Sequence, residues 1–317
     1  MVELQLKSPP NNLVAVTGIS RSGKSMLAPI VSSLNRSENL QTDYTLEQFP
    51  VLNHLGLMSE HIAIYLMRYM VNFKIYDNQI GRNSNFRFTD WTSIWNTSDP
   101  RQYLRRLIKD EGDSVFENIK EENQINVYMF HNVLWHAKIF FKAFPDIKII
   151  HIDRHPIDMV YSWYKRSYGD RFYDKERSAL TLIENGGNGI PYYAQNWLNE
   201  YISLAEIDRV IKMIYTIISE HYDTLKTLSD SDRENILLIN FDKIISNPEN
   251  DLKKICNILN TSKSSYTISV MERERCPRAI DKIGRSKKYD EIKNIASSES
   301  IKLMEEMNKD FEIKATL

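Results

Sequence analysis

Cysteine is nearly absent: the chain of 317 residues has two, Cys256 and Cys276, far apart and without a metal-binding spacing. That excludes a disulfide-built scaffold and a cysteine zinc cluster, and predicts buried or free thiols. No metal centre is expected from the seven histidines. Net charge is only −1, which gives no global attraction to nucleic acid or an anionic membrane; basic residues must act locally. No apolar run reaches the roughly 18 to 20 residues of a membrane span. Residues 1–7 lack the basic-then-apolar shape of a signal peptide, so the expectation is a cytoplasmic protein. Internal repeats and low-complexity tracts are also missing. With 42% hydrophobic and 11% aromatic residues, disorder is excluded and a large core is available.

What is present begins with Gly18-Ile19-Ser20-Arg21-Ser22-Gly23-Lys24-Ser25, a G-x-x-x-x-G-K-S pattern directly after the apolar run Leu13-Val14-Ala15-Val16. Strand, glycine-bracketed loop and helix, in that order, turn backbone N–H groups toward a phosphate. The helix N-terminus and Lys24 add positive charge. The pattern predicts a phosphorylated nucleotide as ligand. A second block, residues 148–164, reads as an apolar strand ending at Arg154, a break at Pro156 and a helix starting near Asp158. Arg154 and Ser162 are eight residues apart and could converge on one anion, to which Arg offers a planar, permanently charged fork. Two anion sites at two strand ends imply a ligand with phosphates at both ends. ATP, with one phosphate chain, needs only one.

These motifs resemble those of the sulfotransferases that use 3′-phosphoadenosine-5′-phosphosulfate (PAPS), in their bacterial and tyrosylprotein-like branch. Ser20 to Ser25 is similar to the family's 5′-phosphosulfate loop. Arg154-His155-Pro156 with Ser162 is similar to its 3′-phosphate motif. Asn235 to Asp242, followed by Asn247-Pro248-Glu249, resembles its late strand, acidic turn and helix start. Asp281-Lys282-Ile283-Gly284-Arg285-Ser286 resembles the basic loop that closes over the nucleotide. The four blocks stand in the family's order and cover most of the chain.

The resemblance implies a P-loop NTPase-like α/β fold, PAPS as cofactor, and sulfuryl transfer to a hydroxyl or amine. It implies Ser20, Arg21, Ser22, Gly23, Lys24, Ser25, Arg154, Ser162, Lys282, Gly284 and Arg285 around the nucleotide, with Arg21 also the cation at the leaving phosphate. Two residues compete for the base: Glu47, where tyrosylprotein-type and many bacterial members place a glutamate, and His131, near the cytosolic members' histidine. Glu47 is slightly favoured, and Asp90 is held in reserve. The acceptor, whether carbohydrate, small alcohol or phenol, or peptide tyrosine, is left open. One departure is Lys24, where the family usually has Thr, so the loop is also a literal ATP-type P-loop. Ile149 to Asp153 could then serve as a Mg²⁺-holding strand. A P-loop kinase using Mg-ATP is the first alternative, and a catalytically silent nucleotide-binding protein the second.

Strand–helix alternation predicts one α/β domain over 1–317: a central parallel sheet with helices on both faces, and helical insertions at about 55–122 and 165–230. Asp43-Tyr44-Thr45-Leu46 reads as a strand running into Glu47. Residues 55–80 read as helix on the spacing of Leu57, Ile62, Leu66, Tyr69, Met70 and Phe73. A helix opened by Ser98-Asp99-Pro100 is expected to turn Tyr103, Leu104, Leu107 and Ile108 inward. Residues 184–190 read as a mobile glycine-rich loop, with helices over about 193–201 and 209–228. Phe86, Phe88, Trp91 and Trp95, and Trp163, Tyr164, Tyr168, Phe172 and Tyr173, are expected to pack in the core or to wall an adenine or acceptor site. Lys165-Arg166 with Arg171 reads as a solvated basic face.

Overall fold

Leu13–Gly18 (β1) is buried along its whole length, which only a strand covered on both faces sustains. The computed structural model describes residues 12–170 and 181–316. After β1 come α1 (Lys24–Ser32), β2 (Gln41–Thr42), α2 (Tyr44–His54), α3 (Glu60–Gln79), α4 (Pro100–Arg106) and α5 (Asp113–Glu122). Then follow β3 (Asn126–His131), α6 (Ala137–Ala143), β4 (Lys148–Asp153), α7 (Pro156–Tyr164), β5 (Leu182–Asn185), β6 (Asn188–Pro191), α8 (Leu198–Ser203), α9 (Glu206–Thr227) and α10 (Asp230–Arg233). The chain closes with β7 (Ile236–Asn240), α11 (Phe241–Ser246), α12 (Pro248–Ile258), α13 (Thr267–Arg273), α14 (Lys282–Lys293) and α15 (Ser298–Thr316).

Five strands pair in parallel in the order β2-β3-β1-β4-β7. Their C-terminal ends therefore share one edge. Strand alternation sends Val14, Val16, Met129, Ile150, Ile152 and Ile239 against α1, α11, α12 and α13. Leu13, Ala15, Tyr128, Phe130 and Ile149 face α3, α5 and α6 on the other side. A third apolar cluster joins α7, α9, α14 and α15. The expected parallel sheet with helices on both faces is what the chain forms. Among the described residues no helix is long and apolar enough to cross a membrane.

Several local expectations are corrected. Asp43 is not in a strand: its carboxylate accepts from the N–H groups of Thr45 and Leu46 and caps α2, so Asp43 to Leu46 opens a helix. On α3 the inward stripe is Ala63, Met67, Val71 and Ile75. Leu57, ahead of the helix, and Ile62, Tyr69 and Phe73 are exposed. Both stripes are apolar, so spacing alone could not choose between them. Tyr103 is buried as expected, but Leu104, Leu107 and Ile108 face solvent. The turn at Gly186-Gly187 (φ 60° and 86°) closes the β5–β6 hairpin, pairing Asn185 with Asn188, where a loop was expected. The helix read from about residue 193 starts as a 3₁₀ turn, Tyr192–Trp197, before α8.

In place of the leucines, α4 buries Arg106. Its guanidinium forms a fork on Glu38 at 2.6 and 2.8 Å, and neither side chain is more than 3% exposed. Tyr103 Oη and Asn78 Nδ2 also donate to Glu38, so the node ties α3 and α4 to the segment ahead of β2. A second buried polar group lies under β4. His151 and His221, each 1% exposed, meet edge to face at 4.9 Å. His136 is buried beside His54. Burial pushes His136 down to about 3 and His221 well below its ordinary value.

Candidate active site

The loop after β1 is shaped by two left-handed residues, Arg21 (φ 70°) and Gly23 (φ 108°), which help gather successive N–H groups around one point. Gly23 is required twice over. Its φ disfavours a side chain, and a Cβ there would lie 2.4 Å from the Phe241 ring. Lys24, the first residue of α1, is 5% exposed, and its Nζ donates to the Ile19 carbonyl at 3.4 Å. Burial pushes this ammonium down to about 7; the Glu47 charge opposes that and Arg21 adds to it. Ser25 follows on the first turn. The Ser20 carbonyl accepts from Trp163 Nε1 at 2.8 Å, so this tryptophan braces the loop from the core.

The second anion motif meets the first directly. Arg154, just after β4, donates from Nη1 to the Arg21 carbonyl at 3.0 Å, and Arg21 Nε donates to Ser162 Oγ at 3.2 Å. Arg166 Nη1 also reaches Ser162 Oγ, at 3.0 Å. Two buried polar atoms in the cluster, Ser22 Oγ and Arg154 Nε, have no protein partner. Such orphans fit an anionic ligand, because a buried donor left unmatched costs about 1–3 kcal/mol.

The third element behaves differently from expectation. Asp281 to Ser286 is not a loop but the start of α14, where Asp281 accepts from the Gly284 N–H at 2.8 Å. Arg285 is bound to Asp158 and Asp242, both contacts at 2.8 Å, and Lys288 joins Asp158 at 2.6 Å. Burial works against the Asp158 charge, but Lys288 and Arg285 outweigh it and hold the carboxyl below its usual range. Lys282 stands exposed at the N-terminus of α14, lining a cleft with His155 and Arg285. Arg285 is thus committed to carboxylates within the protein.

Glu47 and His131, rivals in the sequence, touch. Because β2 and β3 are neighbours, the start of α2 lies beside the end of β3. Glu47 Oε1 accepts from the His131 backbone N–H at 2.9 Å, and both carboxylate oxygens face ring Nδ1 at 3.1 and 3.2 Å. The His131 side chain remains 29% exposed. Burial and nearby Lys24 lower its pKa, while Glu47 acts to raise it. Next in the chain, Asn132 donates to Tyr193 Oη at 3.3 Å.

Other residues singled out in the sequence have surroundings of their own. Asp153, the carboxylate of the kinase alternative, is tied to His151 Nε2 at 3.0 Å and to the Tyr222 hydroxyl at 2.9 Å. Asp90 pairs with Arg87 and accepts from Asn85, beside Phe86, Phe88, Trp91 and Trp95. These aromatics are all at least 36% exposed and are therefore not core. Their segment is tied to Asn39, ahead of β2, and to Arg273 of α13, rather than to the strand-end cations. Lys165 pairs with Glu291. Arg171, Phe172 and Tyr173 lie outside the described residues. Conversely, Phe241 and Arg278 carried no motif signal as site residues. Phe241 packs against Gly23, and the guanidinium carbons of Arg154 and Arg278 lie 4.6 and 5.3 Å from its ring centroid.

Across the shared edge the order is Glu47, His131, the P-loop, Arg154 and Phe241, following β2, β3, β1, β4 and β7. A carboxylate-bound imidazole therefore stands on one side of the P-loop and a guanidinium cluster on the other. A search of curated proteins finds no match. Among solved structures the chain is similar to the sulfotransferase domain from the curacin biosynthetic pathway, with 12% identity, coverage of 95% of this chain and 98% of that one, and a TM-score of 0.49. It is also similar to the sulfotransferase domain of the Synechococcus PCC 7002 olefin synthase, with 13% identity, 94% and 95% coverage, and a TM-score of 0.45. A sulfotransferase from Alicyclobacillus acidocaldarius gives 14% identity, 96% and 97% coverage, and a TM-score of 0.39. The family model for the sulfotransferase domain matches residues 12–316, and the chain belongs to that family.

Proposed function

We propose that this protein transfers a sulfuryl group from PAPS to a hydroxyl or amine of an acceptor. One catalytic domain would carry the site, with the helical stretches at 55–122 and 165–230 as insertions. The observation that carries the reading is the hydrogen-bonded run Arg154–Arg21–Ser162, which fuses the two anion motifs into one site beside the P-loop. PAPS supplies an activated sulfuryl group on a phosphate leaving group. The S–O bond to that phosphate breaks, an S–O bond to an acceptor hydroxyl or an S–N bond to an acceptor amine forms, and the acceptor loses its proton. Ser22, Gly23, Lys24 and Ser25 hold the 5′ end through N–H and hydroxyl groups, and Arg154 and Ser162 hold the 3′-phosphate. Arg21 and Lys24 offset the charge that grows on the departing phosphate oxygen. His131 Nε2 takes the acceptor proton. Glu47, bound to Nδ1, fixes the ring orientation and steadies its charge when it forms.

The test is thermal unfolding with 3′-phosphoadenosine-5′-phosphate, ADP, and ATP with Mg²⁺. The 3′-phosphorylated nucleotide should stabilise most, without metal, by about 2.7 kcal/mol at a hundredfold excess over Kd. Stronger stabilisation by Mg-ATP, lost on adding EDTA, would replace this reading with the kinase one. Binding of the nucleotide with no turnover across hydroxyl and amine acceptors would favour the silent alternative.

A further inference from the structure

Of the two apolar stripes on α3, the core uses one. Ala63, Met67, Val71 and Ile75 are buried. On the opposite face Ile62, Tyr69 and Phe73 are 38, 49 and 50% exposed, with Tyr65, Leu66 and Tyr76 partly buried among them. A helix that is apolar all round is normally covered all round. The open face is also ordered. The rings of Tyr65, Tyr69 and Phe73 stack at 6.4 and 6.0 Å, within 16° of parallel, and Tyr76 carries the row on to Phe116 of α5 at 5.0 Å. Ile62, Tyr69 and Tyr76 recur every seventh residue with Tyr65 between the first two, the spacing of a helix–helix seam. No charged side chain belongs to this face. Glu60 pairs with Lys142 at 2.7 Å, Lys74 with Asp43 at 3.1 Å and Asp77 with Arg82 at 3.0 Å, while Arg68 donates to the Ala143 and Lys142 carbonyls.

We infer that this face docks a second copy of the chain, α3 against α3, antiparallel about a two-fold axis through Tyr69. The inference is independent of the donor reading. Pattern, extent and charge select the occupant. A seam spacing asks for a helix of matching pattern, and an uncharged stripe meets itself without repulsion. About an axis at Tyr69, Ile62 faces the partner subunit's Tyr76, Tyr65 faces the partner's Phe73, and Tyr69 faces its own counterpart. Taking about 150–250 Å² for each whole side chain, the exposed parts of the stripe and of Phe116 come to about 500 Å² per copy. Homodimer interfaces are about 65% apolar and a standard one takes about 800 Å² from each partner, so the extent fits. Charge sets the direction. Residues 113–122 of α5 carry Asp113, Glu117, Glu121 and Glu122 against one lysine, and a parallel pair would set two such helices side by side. The antiparallel pair instead brings Glu117 and Glu121, exposed and without an ion pair among the described residues, toward the partner's α3 N-terminus. Ser59 makes no side-chain cap there, so that end keeps its positive character. The same acidic rim opposes an anionic membrane, which a docking helix meets with Lys and Arg.

Sedimentation equilibrium over a dilution series tests the assembly. Wild-type protein should approach twice the 37.3 kDa of one chain. Tyr69→Glu and Tyr69→Lys each set like charges face to face across the axis. Each should weaken dimerisation by about 30-fold or more, the scale of a central anchor. Mixed in equal amounts, the two variants should dimerise again, because Glu then faces Lys; a two-fold axis at this residue is what makes that rescue possible. Phe73→Ser, which adds no charge, should weaken the dimer in the same direction and guards against a charged variant that fails to fold. Phe88→Glu, in the other exposed aromatic segment, should leave the mass unchanged. The inference is overturned if wild-type protein keeps the mass of one chain throughout, if the charged variants still dimerise, or if their mixture stays monomeric. A monomeric wild type that sediments with phosphatidylserine vesicles, where Tyr69→Glu does not, would assign the face to a membrane instead.

Discussion

His131→Ala should lower kcat by on the order of 10²–10⁴, the range for removing a positioned general base. Nucleotide affinity should remain within a few-fold of wild type. Glu47→Gln should lose a comparable amount, because an amide cannot hold the imidazole in the productive tautomer or offset its charge; loss of the equivalent carboxylate in a serine protease triad costs about 10⁴. The two act as one unit, so the double variant should be hardly worse than the worse single one. Additive losses would mean that Glu47 and His131 do separate jobs. The pH profile adds a signed test. Burial and Lys24 lower the His131 pKa, so the acid limb of the rate should fall below the ordinary 6.5 or so. Glu47 opposes that shift, so Glu47→Gln should move the limb lower still. A variant that merely disturbed packing would lower the rate without moving the limb.

The largest effect on stability should come from Arg106→Ala. It leaves Glu38 buried among Tyr103 and Asn78 with no cation, a change that typically costs about 3–5 kcal/mol. In a chain of this size that is on the order of ten degrees in Tm. Replacing both partners together, Glu38→Leu with Arg106→Met, should recover most of the loss, since no buried charge is left. A loss below about 1 kcal/mol for Arg106→Ala would show that water reaches the node.

The P-loop, the Arg154/Ser162 spacing and the strands at β1, β4 and β7 were legible because their signals are local: a glycine-bracketed turn after an apolar run, an arginine before a proline. Strand order is not local. Nothing in the sequence says that β2 lies beside β3, so Glu47 and His131 read as rivals when the sheet makes them hydrogen-bond partners. Glu47 also read as a strand-end residue because Tyr44 and Thr45 favour strands, yet the Asp43 cap decides for helix. Arg285 carried the more visible motif, and its commitment to Asp158 and Asp242 depends on three helices meeting. Arg278 has no motif, and only the fold brings it to Phe241. Which face of α3 turns inward was not legible, because the helix carries two apolar stripes that periodicity cannot rank.

The imidazoles of His136 and His221 impose a lower limit on the working pH. Both pKa values in the fold lie below the unfolded value of about 6.5, so each histidine supports the native state fully above that pH. That support is lost as pH falls, for His136 down to about 3. Each contributes a slope of about 1.4 kcal/mol per pH unit within its window. His221→Gln should flatten the fall of Tm between pH 7 and pH 4, roughly 3 units by choice of buffers; parallel curves for variant and wild type would show that this residue titrates as it does in the unfolded chain. The same window contains the acid limb expected for His131. Recovery separates the two on returning acidified enzyme to neutral buffer: protonation of the partly exposed His131 ring reverses within mixing, whereas the buried imidazoles of His136 and His221, once charged, require the chain to refold. Acid inactivation of this enzyme should therefore have a fast and a slow component, and only the fast one reports catalysis.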